Sequence, residues 1–354
     1  MNRPARALID LAAFRHNYLL AQKLSGCPCY AVVKADAYGH GMAALVNSLP
    51  EANGFAVSRL EETVEFAPNQ GSVLVLSGPM SEAELVEMAA RGIQTMIHTP
   101  QQVEWVSRFN GPQPLHFWLK FDTGMHRLGL MPENAEQWLA MAAGNPQAKL
   151  LGIATHLACA DDPASNFTPR QLAAFAAATV GFSGPRSIAN SAAIMQWPES
   201  HTGWARPGIM LYGSSPFGWD STIQHQLQPV MTLVSEVIAL RDVAAGECVG
   251  YGNSWRAERP TRVATVAMGY GDGYPRHAPS GTPVVVENKR AALIGRVSMD
   301  LITLDVTDIP AAQVGSQVEF WGKQLSVDEV AHHVGTIGYE LLTRVSPRVE
   351  RVPG

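Results

Sequence analysis

The sequence predicts a (β/α)8 barrel of the TIM type followed by a C-terminal, mainly-β domain, and a change of texture along the chain carries that expectation. From about residue 30 to 213, short apolar runs alternate with longer stretches of helical pattern, as βαβ units around a parallel sheet require. After about residue 225 the apolar runs follow one another closely, separated by turn residues and little helix. Length agrees: 354 residues exceed the size at which one ordinary core stops growing, so a large barrel with a second domain is expected.

Eight runs read as barrel strands, at 30–33, 54–58, 73–77, 94–98, 115–121, 151–156, 186–189 and 208–212. The stretches between them carry helix signals. Ser81 with Glu84, Thr99 with Gln102 around Pro100, and Thr168 with Gln171 around Pro169 match reciprocal capping boxes, while Gly92 and Gly144-Asn145-Pro146 mark stops. Eight strand-helix pairs fit the ~200 residues that such barrels can occupy. An open doubly wound sheet is the alternative, although no GxGxxG follows a strand. The barrel is assigned to 1–225, with 214–228 as linker, and the β-rich domain to 226–354. Strands are expected there within 230–240, 262–268, 283–286 and 301–306, with one helix at 326–334.

Apolar residues make up 46% of the chain and charged residues 16%, with a net charge of −5 and no basic stripe. Nucleic acid and anionic membranes are therefore not expected partners. The N-terminal segment MNRPARALIDLAAFRHNYLL lacks the apolar core and small-residue cleavage site of a leader, and no later run reaches the ~18 apolar residues of a membrane span. A soluble, cytoplasmic protein is expected. The four cysteines, Cys27, Cys29, Cys159 and Cys248, do not form a disulfide framework, and Cys27-Pro28-Cys29 lacks the second pair that a metal site needs.

The segment AVVKADAYGHG at 31–41 is the most informative in the chain. It puts Lys34 at the end of an apolar strand, where a charged amine is out of place unless it is paired, neutralised or able to reach solvent. One reading is a lysine snorkelling to water; the other is an amine neutralised by desolvation and ready to form a Schiff base with an aldehyde. At the ends of later strands lie Lys120 with Asp122 and Arg127, His156, Asn190 with Ser191, and Arg206 with Gly208, which puts all of them on the barrel rim where reactive groups gather. Each has a plain alternative: core histidine, surface ion pair or helix cap. Yet Ser191 with the amides of Gly208 and Ile209 would also seat a phosphate, which suggests a phosphorylated aldehyde cofactor.

KADAYGHG at 34–41, KFDTGMHRLG at 120–129, RPGIMLYG at 206–213, VGYG at 249–252, GRVSMD at 295–300 and TIGYE at 336–340 resemble the pyridoxal-phosphate-dependent alanine racemases, in family order and over nearly the whole chain. The resemblance implies a barrel whose N-terminal strand, about 5–11, joins the β domain, and a head-to-tail homodimer with shared active sites. It implies that Lys34 carries pyridoxal 5'-phosphate and that Tyr251 of the partner subunit is the opposing base. Tyr38, Ser191, Gly208, Ile209 and Tyr339 resemble the phosphate site, and Arg206 the group facing the pyridine nitrogen, with His156 beside the ring. Arg127 and the backbone of Met299 would receive the substrate carboxylate. Asp300 resembles part of the pocket wall, and Tyr270, Asp161, Arg276 and Arg296 resemble entrance residues. Lys120 resembles a lysine that many relatives carry as a carbamate, its plain alternative being a lysine paired with Asp122. Ser298 stands where many members have cysteine. No metal is implied.

Racemisation suits these residue types, because exchanging the α-proton on both faces of a planar carbon needs two bases. Lysine and tyrosine serve once desolvation and neighbouring cations pull their pKa values of ~10 toward working pH. Lys34 is expected to handle the proton of D-alanine and Tyr251, near Arg127 and His156, that of L-alanine. An arginine at position 206 argues against the amino-acid decarboxylases of similar architecture, which place an acid there. A β domain argues against a single-barrel pyridoxal-phosphate carrier, and a reactive lysine against a plain binding module. Serine or a broader amino-acid range remains an alternative to alanine, and supply of D-alanine for cell walls and its breakdown both fit.

Overall fold

The computed structural model describes residues 4–66, 70–218 and 222–354. Strand β1 (Arg6–Ile9) leads into the helix Leu11–Ser25, and a parallel sheet follows: β2 (Tyr30–Val32), β3 (Gly54–Val57), β4 (Ser72–Val75), β5 (Gln94–Ile97), β6 (Leu115–Lys120), β7 (Ala148–Ala154) and β8 (Arg186–Ser187), neighbours in that order. Their side chains are mostly buried, as expected of strands packed on both faces.

The eighth strand expected at 208–212 is not there. Ile209–Tyr212 is a 3-10 turn ending at Gly213 in the left-handed region (φ 80°), and residues 204–207 fill the eighth position instead. Trp204 N and Arg206 N donate to Arg186 O (2.8 Å) and Ala189 O (2.8 Å) on one side, while Tyr30 N and Val32 N donate to Ala205 O (2.9 Å) and Pro207 O (3.0 Å) on the other. The sheet thereby closes on itself. Pro207 lacks an N–H, so the extended backbone there can only accept, and no regular strand continues past it. The apolar run that suggested a strand is buried under the first helix instead, where Phe14 meets Tyr212 at 5.7 Å and Asn17 Nδ2 donates to Leu211 O (3.0 Å).

The second sheet is mainly antiparallel and also closes. β9 (Met231–Val243), β12 (Thr261–Val266), β15 (Ile302–Asp305), β14 (Lys289–Leu293), β13 (Pro283–Val286) and β16 (Gln317–Trp321) form a ring that returns to β9, beside a small hairpin of β10 (Cys248–Val249) and β11 (Trp255–Arg256). The long β9 makes this possible: Val237–Val243 pairs with β12 and Leu233–Glu236 with β16. β1 lies between β9 and the parallel C-terminal strand β17 (Glu350–Pro353).

Of the expected capping boxes, Thr99 with Gln102 forms in full; Ser81 caps Glu84 N, but the Glu84 carboxylate reaches Met80 N instead of Ser81 N. Thr168 does not cap: Asn166 occupies that position, Thr168 is inside the helix Phe167–Ala178, and Gln171 is recruited elsewhere. The helix expected at 326–334 is Val327–Val334, capped by Ser326, and a second helix, Gly338–Arg344, follows it. Of the expected linker, 219–221 lie outside the described residues, as do residues 1–3 of the expected barrel domain; Ser214 Oγ and Ser215 N are tied to the buried Asp328 carboxylate at 2.5 and 2.8 Å. Among the described residues no helix is long and apolar enough to cross a membrane, and no cluster of metal-ligating side chains occurs.

Candidate active site

Lys34 follows β2 after one intervening residue, Val33, and the backbone beyond it is a left-handed helical turn. Ala35, Asp36, Ala37 and Tyr38 all lie at φ 51–53° and ψ 40–54°. Each such residue costs roughly 1–2 kcal/mol without glycine, so the turn must be held by its surroundings. Glu62 supplies one hold: its carboxylate accepts from Ala35 N (2.6 Å), Ser58 N (2.6 Å) and Arg59 N (3.1 Å). His40 supplies another, its Nδ1 lying 3.0 Å from Ala37 O and 2.9 Å from Tyr38 O. Burial drives the His40 pKa down to about 4, so the ring is neutral with Nδ1–H as donor. Tyr38 stacks on Tyr212 (4.6 Å, 25°), whose hydroxyl donates to Val32 O (2.9 Å).

Lys34 stands in a cationic neighbourhood. Burial, then the Arg127 charge, lowers its pKa, with Glu62 opposing. Lys120, at the end of β6 and 9% exposed, is pushed down to about 8 by burial and by Arg206 and Arg127. Asp122 raises it, but no hydrogen bond or close ion pair joins the two among the described residues; one Asp122 oxygen instead accepts from Gly124 N (2.9 Å) and His126 N (3.0 Å), shaping the loop that carries Arg127. Arg206 is buried at the floor, where it donates to Ser187 Oγ, Thr155 O (2.6 Å) and Ile188 O (3.4 Å) and approaches His156 Nδ1 at 3.5 Å. Burial lowers its pKa to about 10, which leaves it charged at neutral pH. Burial and these cations hold His156 well below its usual value, so it is a neutral acceptor toward Arg206. The diverted Gln171 fixes the loop of His156, donating to His156 O (3.0 Å) and accepting from Ala158 N (2.9 Å).

Beside this floor is a seat for an anion. Asn190, rather than Ser191, caps the helix Ser191–Gln196 by accepting from Ala193 N (3.0 Å), which leaves the buried Ser191 hydroxyl to meet Gly208 N (2.9 Å) and Met210 N (3.4 Å). A methyl group on Gly208 would lie 2.7 Å from Tyr38 Oη, so only glycine lets the phenol approach that backbone. Ile209 N and the hydroxyls of Tyr38 and Tyr339 have no hydrogen-bond partner among the described residues, and the two phenol rings lie 6.1 Å apart. Unsatisfied donors, a bare glycine and a hydroxyl on one side, with a desolvated amine on the other, fit a phosphorylated aldehyde.

The other expected residues lie elsewhere. Tyr251, in the turn Tyr251–Asn253, is 70% exposed, and no hydrogen bond links it to Arg127 or His156 within the chain among the described residues. Arg296 lies against Gly252 of the same turn. Tyr270 N and Gly271 N donate to Ser298 O (3.0 Å) and Met299 O (2.8 Å), which brings Tyr270 and Met299 together, both partly exposed. Asp300 pairs with Arg348 (2.7 Å), and Arg276 is exposed after the same loop. Asp161 is exposed beyond His156 and acts on Tyr339 electrostatically. Glu62, Gln171, His40 and Thr155 were not singled out from the sequence; only the capping pattern gave Gln171 any signal, and that signal pointed to a different role.

The chain matches the family profiles described as alanine racemase, N-terminal domain, over residues 9–216 and alanine racemase, C-terminal domain, over residues 230–353. It is 47% identical to a catabolic alanine racemase of Pseudomonas putida, covering 99% of this chain and 98% of that protein, and 48% identical to an alanine racemase of Azoarcus sp., covering 99% and 100%. Among solved structures it superposes on the biosynthetic alanine racemase of Pseudomonas aeruginosa with a TM-score of 0.95 at 45% identity over 100% of both chains. The alanine racemase of Bartonella henselae, solved with covalently bound pyridoxal phosphate, gives a TM-score of 0.90 at 30% identity, again over 100% of both.

Proposed function

The chain belongs to the alanine racemase family, and we propose that it interconverts L- and D-alanine by a two-base reaction, with Lys34 on one face of the substrate and Tyr251 of the partner subunit on the other. Family membership makes it an isomerase that uses pyridoxal 5'-phosphate. Lys34 would hold the aldehyde carbon of that cofactor. Ser191, Tyr38, Tyr339 and the N–H groups of Gly208 and Ile209 would hold its phosphate, and Arg206 its ring nitrogen, with His156 beside the ring. When bound, the cofactor spreads the charge left on the α-carbon once its proton is removed.

The observation that carries the reading is the half-buried, pKa-lowered Lys34 amine among neighbouring cations, together with a seat in which Ser191 Oγ accepts from Gly208 N while Ile209 N and the hydroxyls of Tyr38 and Tyr339 have no partner among the described residues. A lowered pKa gives Lys34 a larger share of neutral amine, the form that removes a proton. Arg127 and the Met299 backbone receive the substrate carboxylate and so orient the α-carbon between the bases. Arg206 has only donors and stays charged, so the ring nitrogen it faces remains an acceptor; this restrains charge withdrawal and disfavours transamination. Lys120, modified by carbon dioxide, would present an anion to Arg127. Tyr251, 70% exposed and with no hydrogen bond to Arg127 or His156 among the described residues, supports a homodimer in which each copy completes the other's site.

Isotope exchange tests the assignment. Tyr251→Phe is expected to lose racemisation in both directions by ~10²–10⁴-fold, the range of a general base, and still exchange the α-proton of D-alanine with solvent deuterium. Exchange of L-alanine with D-alanine spared would refute one base per enantiomer.

A further inference from the structure

We propose that Arg351, in the C-terminal strand β17, is the positioning residue that sets the spacing of Tyr38 and Tyr339 across the phosphate seat, an inference that rests on the reading of that seat given above. Its guanidinium bonds four backbone carbonyls at once: Nε donates to Gly39 O (3.0 Å), Nη1 to Ser346 O (2.6 Å) and Val349 O (2.7 Å), and Nη2 to Val345 O (2.7 Å). Gly39 ends the left-handed turn that carries Lys34 and Tyr38, whereas Val345 and Ser346 end the helix Gly338–Arg344 that carries Tyr339. One rigid, planar group therefore ties the two phenol-bearing elements together.

The contact it spans is tight. A methyl group at Gly39 would lie 2.3 Å from Leu342 O, so helix and turn meet backbone to backbone, and the Arg351 stem passes 3.8 Å from where a side chain on Gly41 would start. The turn also needs outside support: Ala35–Tyr38 are left-handed without a glycine, and Gly39 O is where the C-terminal strand supplies it. The Arg351 guanidinium is bonded to backbone carbonyls of the turn, the helix end and its own strand approach, not to the residues assigned to cofactor or substrate. It acts through the two tyrosines, so its effect should concentrate on the phosphate group.

The test compares pyridoxal 5'-phosphate with pyridoxal, which lacks the phosphate, as ligands of the cofactor-free protein. Absorbance titration reads the affinity and hydrogen exchange reads the turn. In Arg351→Ala the Kd for pyridoxal 5'-phosphate is expected to rise roughly tenfold or more, the worth of one misaligned hydrogen bond to a charged group, while that for pyridoxal changes less than about twofold. The amides of His40 and Gly41, which bond Ala37 O and Asp36 O inside the turn, should exchange faster in the cofactor-free variant. Arg351→Lys keeps the charge and stem but not the fork, so it should fall between; if Arg351→Ala fails to fold, Arg351→Lys decides by the same ratio. Equal weakening of both ligands, or none, would overturn the role of Arg351. Wild-type protein that binds the two ligands equally would overturn the seat itself.

Discussion

The barrel rim and the exposed face of the β domain treat their functional residues in opposite ways. On the rim, Lys34, Lys120, His156 and Arg206 are desolvated; Glu62 holds the turn that follows Lys34, Gln171 holds the backbone of His156, and Thr155 and Ser187 hold the Arg206 side chain. On the β domain, Tyr251, Met299 and Leu301 are 70%, 53% and 39% exposed. The difference separates two tasks. A group that must hold a cofactor is built in advance within one chain, whereas a group that approaches from the opposite face can be delivered by a second copy.

Removing Lys34 breaks the pre-built half. Lys34→Ala is expected to abolish racemisation, with a loss above ~10³-fold because on the proposed reading it deletes both a base and the covalent anchor, and to remove the visible absorbance band of the bound cofactor. Tyr251→Phe should keep that band. A Lys34→Ala protein with full activity would end the comparison at once.

Mixing sharpens the other half. Lys34→Ala and Tyr251→Phe chains are each expected to be nearly inactive, yet after unfolding and joint refolding about half of the dimers should be mixed, and each of these has one intact site in a two-fold assembly. Recovery of about a quarter of wild-type activity is the expected outcome. No recovery, with mixed dimers verified by mass spectrometry, would put both residues in the same chain's site.

Sequence and structure part company where distant residues overrule local pattern. The alternation of strands and helices in the first domain and the strand-rich texture of the second follow from periodicity that neighbouring residues set. The left-handed turn at Ala35–Tyr38 does not, since those four residues have right-handed preference and, His40 apart, the holds come from Glu62 and from Arg351 in the C-terminal strand. Residues 208–212 looked like a strand because the first helix buries them, and burial alone does not distinguish a strand from a 3-10 turn. Thr168 and Gln171 carry a capping spacing, but Gln171 bonds the His156 loop instead, and a spacing rule cannot see that loop. The rim residues were legible at the ends of strands and in motifs that resemble a family, and the resemblance already gave Tyr251 to a partner subunit; its exposure shows only once the chain is folded.

Lys120 gives the finest test, because its effect is expected to be small and its pH sense is fixed. Carbon dioxide adds to the neutral amine, and a pKa lowered from 10.5 to about 8 moves the onset of that form down by more than two pH units. At pH 7.5 about a quarter of such amines are neutral, against about 0.1% of ordinary ones. With dissolved carbon dioxide held constant, carbamate on Lys120, followed by carbon-13 NMR, should therefore rise as pH increases through 8. The product exchanges a cation crowded by Arg127 and Arg206 for an anion that both attract, so depletion of carbon dioxide should loosen Arg127. Since Arg127 is solvent-exposed, its ion pair is worth at most ~1 kcal/mol, and KM for alanine should rise by only about two- to fivefold with kcat nearly unchanged. A carbamate signal that appears only above pH 10 would show that the rim does not desolvate this lysine, and the contrast between a prepared barrel rim and a bare β-domain face would weaken at its centre.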